Sequence, residues 1–398
     1  MTESTSSMRL SNVAVYLFVP IVSAPLFMTL MIAPILAVKI ASQFDLTATQ
    51  VGLLFSLELG AFSLATLPAY FWLGKLDARR ATYLFGGLAL LGNLTSTVAT
   101  NFALLLAART FTALAAGSVA VIALALAGKA GNPGRAFGLF IFMQVVLGAV
   151  VLSVFPAIFE PLPVSAIYVT MAILIAVSLP ITQMLPAKLS IAEHGQPTEG
   201  TAKASPVRYL VALAAVLLFY IGAAAAWTFI ALPATEAGLG LDTITTTLAI
   251  ATFVGLIPSL FASILGDTKY NGLIIVVSFV GALAGIYLLI GLTAAVAYIA
   301  SSILFQFAWN LLLPYLFSMV AATNSSPRVT STINLMAGGG LAIGPVAAGA
   351  LLESTGSVEA LLWASMAFIA AGLGSAAYVL ARRAPALSLQ ADPIAVKP

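Results

Sequence analysis

The sequence predicts an all-α polytopic membrane protein with twelve transmembrane helices in two six-helix bundles. Three observations predict it. Of 398 residues only 7% are charged and 61% are hydrophobic, whereas a soluble domain carries about 25% charged residues. Twelve apolar runs can be laid down, each near the roughly 20 residues that a bilayer core requires. Of sixteen Lys and Arg, fourteen fall on alternate connections between those runs, and cytoplasmic loops are where membrane proteins collect such residues.

The first run, residues 13–40, follows a polar start through Ser11 and is too long for the apolar region of a cleavable signal peptide. Lys39, at its far end, reads as an interface residue whose stem lies along the apolar surface. Runs 50–73, 81–100, 102–127, 136–159 and 165–184 complete the first half. Residues 185–208 are the one long non-apolar interior segment, with Pro186, Pro197, Pro206, Gly195 and Gly200, and read as a flexible linker. Runs 209–232, 243–265, 272–292, 295–320, 329–352 and 359–380 form the second half. The chain thus divides into a bundle over residues 1–184, a cytoplasmic linker over 185–208, a bundle over 209–380 and a cytoplasmic tail over 381–398. The intervening loops carry Asp45, Glu160, Glu236, Asp242, Glu353 and Glu359. Both termini are expected in the cytoplasm, and the short loops suit a bacterial inner membrane.

The halves echo each other. Leu73-Gly74-Lys75-Leu76-Asp77 ends the second run and Leu265-Gly266-Asp267-Thr268-Lys269 ends the eighth, each after a proline, Pro68 and Pro258. Six-plus-six duplication is how many secondary transporters are built, with the substrate site between the halves near the midplane. Pro20, Pro25, Pro34, Pro156, Pro314 and Pro345 also mark expected kinks, and Gly338-Gly339-Gly340 a place of close helix approach.

Composition excludes several classes. There is no cysteine, so disulfides, thiolate metal sites and thiol redox chemistry are ruled out. The sole histidine, His194, falls in the linker and is expected to be solvated and idle. The net charge is only +3, with the bases beside helix ends, which suits anionic lipid headgroups rather than nucleic acid. No phosphate-cradling Gly-x-x-x-x-Gly-Lys-Ser/Thr loop is present. No cofactor or metal is expected, no enzyme activity, and no repeated pore segment of the kind channels use.

Only Glu58 and Arg109 are ionisable residues placed well inside a run. Glu58 is eight residues into the second run and Arg109 seven into the fourth, and both runs enter from the same face. At about 1.5 Å per residue each lies roughly 11–12 Å deep, so they are expected to be able to meet. An intramembrane charge is by default a functional hypothesis. A carboxyl whose burial and arginine neighbour change between conformations is a proton carrier. A static ion pair holding helices together is the plainer reading. A second role makes Arg109 the receptor for a carboxylate substrate, since its planar donor fork matches one.

Uncharged polar and aromatic groups collect near the midplane. Gln306, Trp309 and Asn310 share one helical face in the tenth run, Tyr220 and Trp227 one face in the seventh, and Gln144 lies in the fifth. Asn334 lies in the first turns of the eleventh. Amides and aromatics suit a pocket for an amphipathic organic molecule; interhelical hydrogen bonding and packing are the alternative.

Several motifs carry a family resemblance. Residues 34–37 through 45–52 are similar to the first-to-second-span junction of the twelve-span drug and sugar efflux branch of the major facilitator superfamily. Gly74-Lys75-Leu76-Asp77-Ala78-Arg79-Arg80 resembles that family's signature loop, without its second glycine. Arg109 falls where the family has a fourth-span arginine. The span-five antiporter motif is absent, and Gly148-Ala149-Val150-Val151 stands there. The resemblance implies alternating access, with Gly74, Asp77, Arg79 and Arg80, and Asp267 in the second half, clamping helix ends in one conformation. It implies proton-coupled efflux of a small organic molecule by a monomer in the lipid bilayer; proton symport of a small organic anion anchored on Arg109 is the second expectation.

Overall fold

The computed structural model describes residues 12–73, 75–186, 205–265, 268–324 and 329–382, and every element described is helical. Gly74, His194 and Asp267 lie outside the described residues. The helices are α1 (Asn12–Ser23), α2 (Met28–Phe44), α3 (Ala48–Leu64), α4 (Thr66–Trp72), α5 (Ala78–Thr97), α6 (Phe102–Gly128), α7 (Pro133–Val154) and α8 (Val164–Ser178) in the first half. The second half holds α9 (Pro206–Phe229), α10 (Ala231–Glu236), α11 (Leu241–Val254), α12 (Leu256–Leu265), α13 (Asn271–Tyr287), α14 (Ala295–Ala321), α15 (Val329–Thr355) and α16 (Val358–Ala381). All twelve predicted runs are occupied by helix. Ten helical passages are long and apolar enough to cross a membrane. Helix α5 is not among them, and α13, at 17 residues, is a shorter apolar helix.

Proline explains most of the breaks. A proline ring removes one N–H and clashes with the carbonyl four residues earlier. Helices α3, α9 and α11 end at Leu64, Phe229 and Val254, four residues before Pro68, Pro233 and Pro258 respectively. Pro25 lies in a 3-10 turn, Ala24–Phe27, that separates α1 from α2, and Pro156 in a π-turn, Phe155–Phe159, after α7. Pro20, Pro34, Pro314 and Pro345 stay inside continuous helices. Caps fix several starts: Thr47 and Gln50 form a reciprocal capping box on α3, and Asn101, Asn132 and Ser357 cap α6, α7 and α16.

The back-and-forth path leaves one end of the molecule rich in acids and the other rich in bases. At the acid-rich end the two halves share one core. Its first-half members, such as Ile35, Leu54, Phe155 and Ile167, pack with Phe219, Leu248 and Tyr298 of the second half. At the base-rich end the first half has a separate core, around Val15, Phe18, Leu126 and Leu185, with no second-half residue in it among the described residues. Among the described residues the halves are therefore joined in one core at the acid-rich end and share none at the other. The seal runs along α3 and α15. A Cβ at Gly52 would overlap the Pro345 carbonyl oxygen, and one at Gly349 the Ala48 carbonyl oxygen, so only glycine permits this approach.

Candidate functional site

Glu58 on α3 and Arg109 on α6 form a buried ion pair, 5% and 2% exposed. Two of the guanidinium donors meet the two carboxylate oxygens: Nε–H donates to Oε2 at 3.2 Å, and an Nη2–H donates to Oε1. Nη2 donates again to Thr29 Oγ1 at 2.9 Å, and Nη1 donates to Asn93 Oδ1 at 2.8 Å. Four of the five N–H groups of arginine are thus engaged. The Tyr168 ring covers the guanidinium at 4.7 Å, near enough for a cation–π contact.

Local structure positions each group. The turn at Pro25 starts α2 at Met28, which puts Thr29 in its first turn. Asn93 donates its own amide N–H to the Ala89 carbonyl at 3.0 Å, which leaves Oδ1 for Arg109. Burying two charges is costly, and only good geometry with further hydrogen bonds offsets it; Thr29, Asn93 and Tyr168 supply those contacts. Sequence reasoning missed all three. A lone amide in the third run was the only available signal for Asn93, and Thr29 and Tyr168 gave none.

Two adjoining cavities lie beside this network. The smaller, about 120 Å³, is lined by Glu58, Arg109, Asn93 and Thr29. The larger, about 270 Å³, lies between the halves. Phe27, Leu30 and Leu341 line both, so the ion pair is one side chain away from the central space. Gln144, Tyr220, Gln306, Trp309 and Asn310 all line the larger cavity, with no charged side chain among its described lining. Trp227 and Thr252 line it too. Arg109 lines only the smaller one, and Asn334 is exposed and lines neither. Trp309 packs edge-on against Tyr220 at 5.9 Å and Phe305 at 5.6 Å.

At the base-rich end, Asp77 accepts the Arg80 backbone N–H at 3.0 Å and so caps α5. No side-chain ion pair joins Asp77, Arg79 or Arg80 to a neighbouring helix among the described residues. Lys39, at the acid-rich end, donates to the Glu160 carbonyl at 3.0 Å.

The sequence profile of the Major Facilitator Superfamily matches residues 21–328. Among curated proteins none matches the sequence. Among solved structures the fold is similar to that of a point mutant of the nucleoside transporter NupG, with a TM-score of 0.72 and 14% identity over 93% of this chain and 99% of that one. It is also similar to a bacterial homologue of the human lysosomal transporter Spinster in an inward-facing, unoccupied conformation, with a TM-score of 0.63 and 14% identity over 93% and 95% of the two chains.

Proposed function

This chain belongs to the Major Facilitator Superfamily, and we propose that it is a proton-coupled secondary transporter that exports a small organic molecule by alternating access. The observation that carries this reading is the Glu58–Arg109 pair, buried yet adjoining the central cavity. In this reading twelve helices cross the membrane as two six-helix bundles, and the base-rich end faces the cytoplasm by the positive-inside rule. The state described is then the inward-facing one, closed at the outer side. Among the described residues no side-chain ion pair clamps Asp77, Arg79 or Arg80 to another helix, which suits a state open at that end.

All five groups of the Arg109 network come from the first half, so rocking of rigid halves leaves them together. What rocking changes is their cover. Leu341 of α15 lines the smaller cavity, and α15 packs along α3. Opening the outer side withdraws α15 and lets water reach Glu58, which takes up a proton there. Closure returns it inward while substrate loads from the cytoplasm. Protons move in as substrate moves out. The nearly full hydrogen-bonding of Arg109 favours this coupling role over that of a carboxylate receptor.

Proteoliposomes test the reading. Under an imposed inward proton gradient, export empties preloaded substrate, and Glu58→Gln loses this driven flux while keeping exchange. Substrate gain would reverse the direction, and unchanged driven flux in Glu58→Gln would remove the coupling role.

A further inference from the structure

We propose that the transported molecule is uncharged and amphipathic, with an amide-like edge of adjacent donor and acceptor, as in a nucleobase, lactam or carboxamide, and an apolar flank. This rests on the central cavity being the transport site. The cavity lining is of two kinds. Gln144 on α7, Thr252 on α11, and Gln306 and Asn310 on α14 make one. Neighbouring packing brings them together: α11 contacts both α7 and α14, and a Cβ at Gly255 would lie 2.7 Å from the Asn310 amide nitrogen and 3.2 Å from the Thr252 carbonyl oxygen. Leu30, Met31, Ile141, Val145 and Leu341 make the other, with the rings of Tyr220 and Trp309 among them.

Two of the polar lining groups lack partners. Gln144 is 7% exposed and Thr252 4%, and neither Gln144 Nε2 nor Thr252 Oγ1 has a hydrogen bond. A buried polar atom without a partner is costly, and a ligand that supplies the partner recovers that cost on binding. Asn310 donates one N–H to the Gln306 backbone carbonyl at 2.9 Å, which fixes the orientation of its amide. Each carboxamide presents a donor and an acceptor side by side. Their complement is the reversed pair on a planar edge, the geometry by which Asn and Gln read adenine. A net charge would be buried without a counter-charge, since no charged side chain lines this cavity. A polyol would turn several hydroxyls to the apolar side chains that make up most of the lining, where none could be satisfied.

The test is binding to the full-length protein in detergent, read by thermal shift and tryptophan fluorescence, with nicotinamide, uracil, glucose, benzoate and tetraphenylphosphonium as probes. Nicotinamide or uracil is expected to bind, and the other three are not. Gln144→Leu and Thr252→Val should each weaken binding about tenfold, the loss of one hydrogen bond. Both variants remove an unsatisfied polar atom, so they should fold as well as the parent. If glucose, benzoate or tetraphenylphosphonium binds in a Gln144-dependent way and the amides do not, the substrate class is wrong and the cavity stands. If a probe binds equally to the parent, Gln144→Leu, Thr252→Val and Trp309→Ala, the cavity itself is the wrong site. Binding by none of the five also overturns the class.

Discussion

The Trp227 indole N–H donates to the Leu30 carbonyl oxygen at 2.9 Å. Leu30 is four residues before Pro34, which has no N–H to offer that carbonyl. The proline that interrupts the α2 ladder therefore creates an acceptor, and a tryptophan from the other half of the chain fills it. Backbone N–H groups join the halves at two further points: Val346 N–H donates to Ser56 Oγ at 2.9 Å, and Thr49 N–H to Glu353 Oε2 at 3.1 Å. All three lie toward the acid-rich end.

Removing the indole donor should loosen that end. Trp227→Phe keeps the ring and loses a hydrogen bond of about 1 kcal/mol. The chain contains no cysteine, so spin labels at Ser42→Cys and Ser354→Cys report this end alone. A longer distance should gain about fivefold in population. An unchanged distance distribution would show that the bond plays no part in closure.

Glu353 is exposed and accepts the Thr49 N–H at the start of α3, where unpaired N–H groups and the helix dipole favour a carboxylate. Glu353→Gln should move the same label pair apart, and Glu353→Ala further. Added salt should mimic the change in the parent and have little effect in either variant. Equal salt responses in parent and variants would rule Glu353 out as the latch.

Gly52 tests closure sterically. Gly52→Ala puts a methyl against the Pro345 carbonyl oxygen, and such overpacking costs about 1–3 kcal/mol. That cost falls only on the closed state, so the variant should populate the state open at the acid-rich end. A thiol reagent should then reach Ser56→Cys faster in the Gly52→Ala background. Equal labelling rates would mean the helices adjust without opening.

Tyr168 covers Arg109 with its ring, and its hydroxyl is buried without a partner. Tyr168→Phe keeps the ring contact and removes the unsatisfied oxygen, so thermal stability should hold or rise. Tyr168→Leu loses the cation–π contact and should cost about 1–2 kcal/mol. If Phe is the more damaging change, the hydroxyl has a role that the ring geometry does not show.

The pattern of what was legible in the sequence has a physical basis. Depth along a run is readable by counting residues, which is why Glu58 and Arg109 could be placed within reach of each other. Rotation about the helix axis is not readable when a helix is apolar all round, as α6 and α8 are. Which side chains Arg109 meets depends on that rotation: Thr29 and Tyr168 gave no signal, and Asn93 only that of a lone amide in its run. The midplane amides were found because Gln306, Trp309 and Asn310 share a face by spacing alone. Helix breaks were partly readable: Pro68 and Pro258 end helices as expected, Pro233 ends one that carried no such expectation, Pro345 stays inside a continuous α15, and Pro34 leaves α2 continuous with the Trp227 N–H on the carbonyl it frees.

The last prediction separates a coupling role for the ion pair from a structural one. Removing one partner leaves a buried charge without its counterpart, which costs about 3–5 kcal/mol. Arg109→Lys should come close to that cost, because one ammonium cannot span Glu58, Asn93 and Thr29, which the planar fork holds together. Removing both charges, as in Glu58→Gln with Arg109→Met, should restore much of the stability, since apolar replacement of a buried pair is often neutral or better. If the pair only joined helices, the double variant should transport normally. If Glu58 carries the proton, the double variant should fold, bind and exchange substrate, yet fail to concentrate it against a gradient. Thermal stability and gradient-driven flux, measured on the same preparation, distinguish the two: recovery of both would reduce the pair to a structural tie.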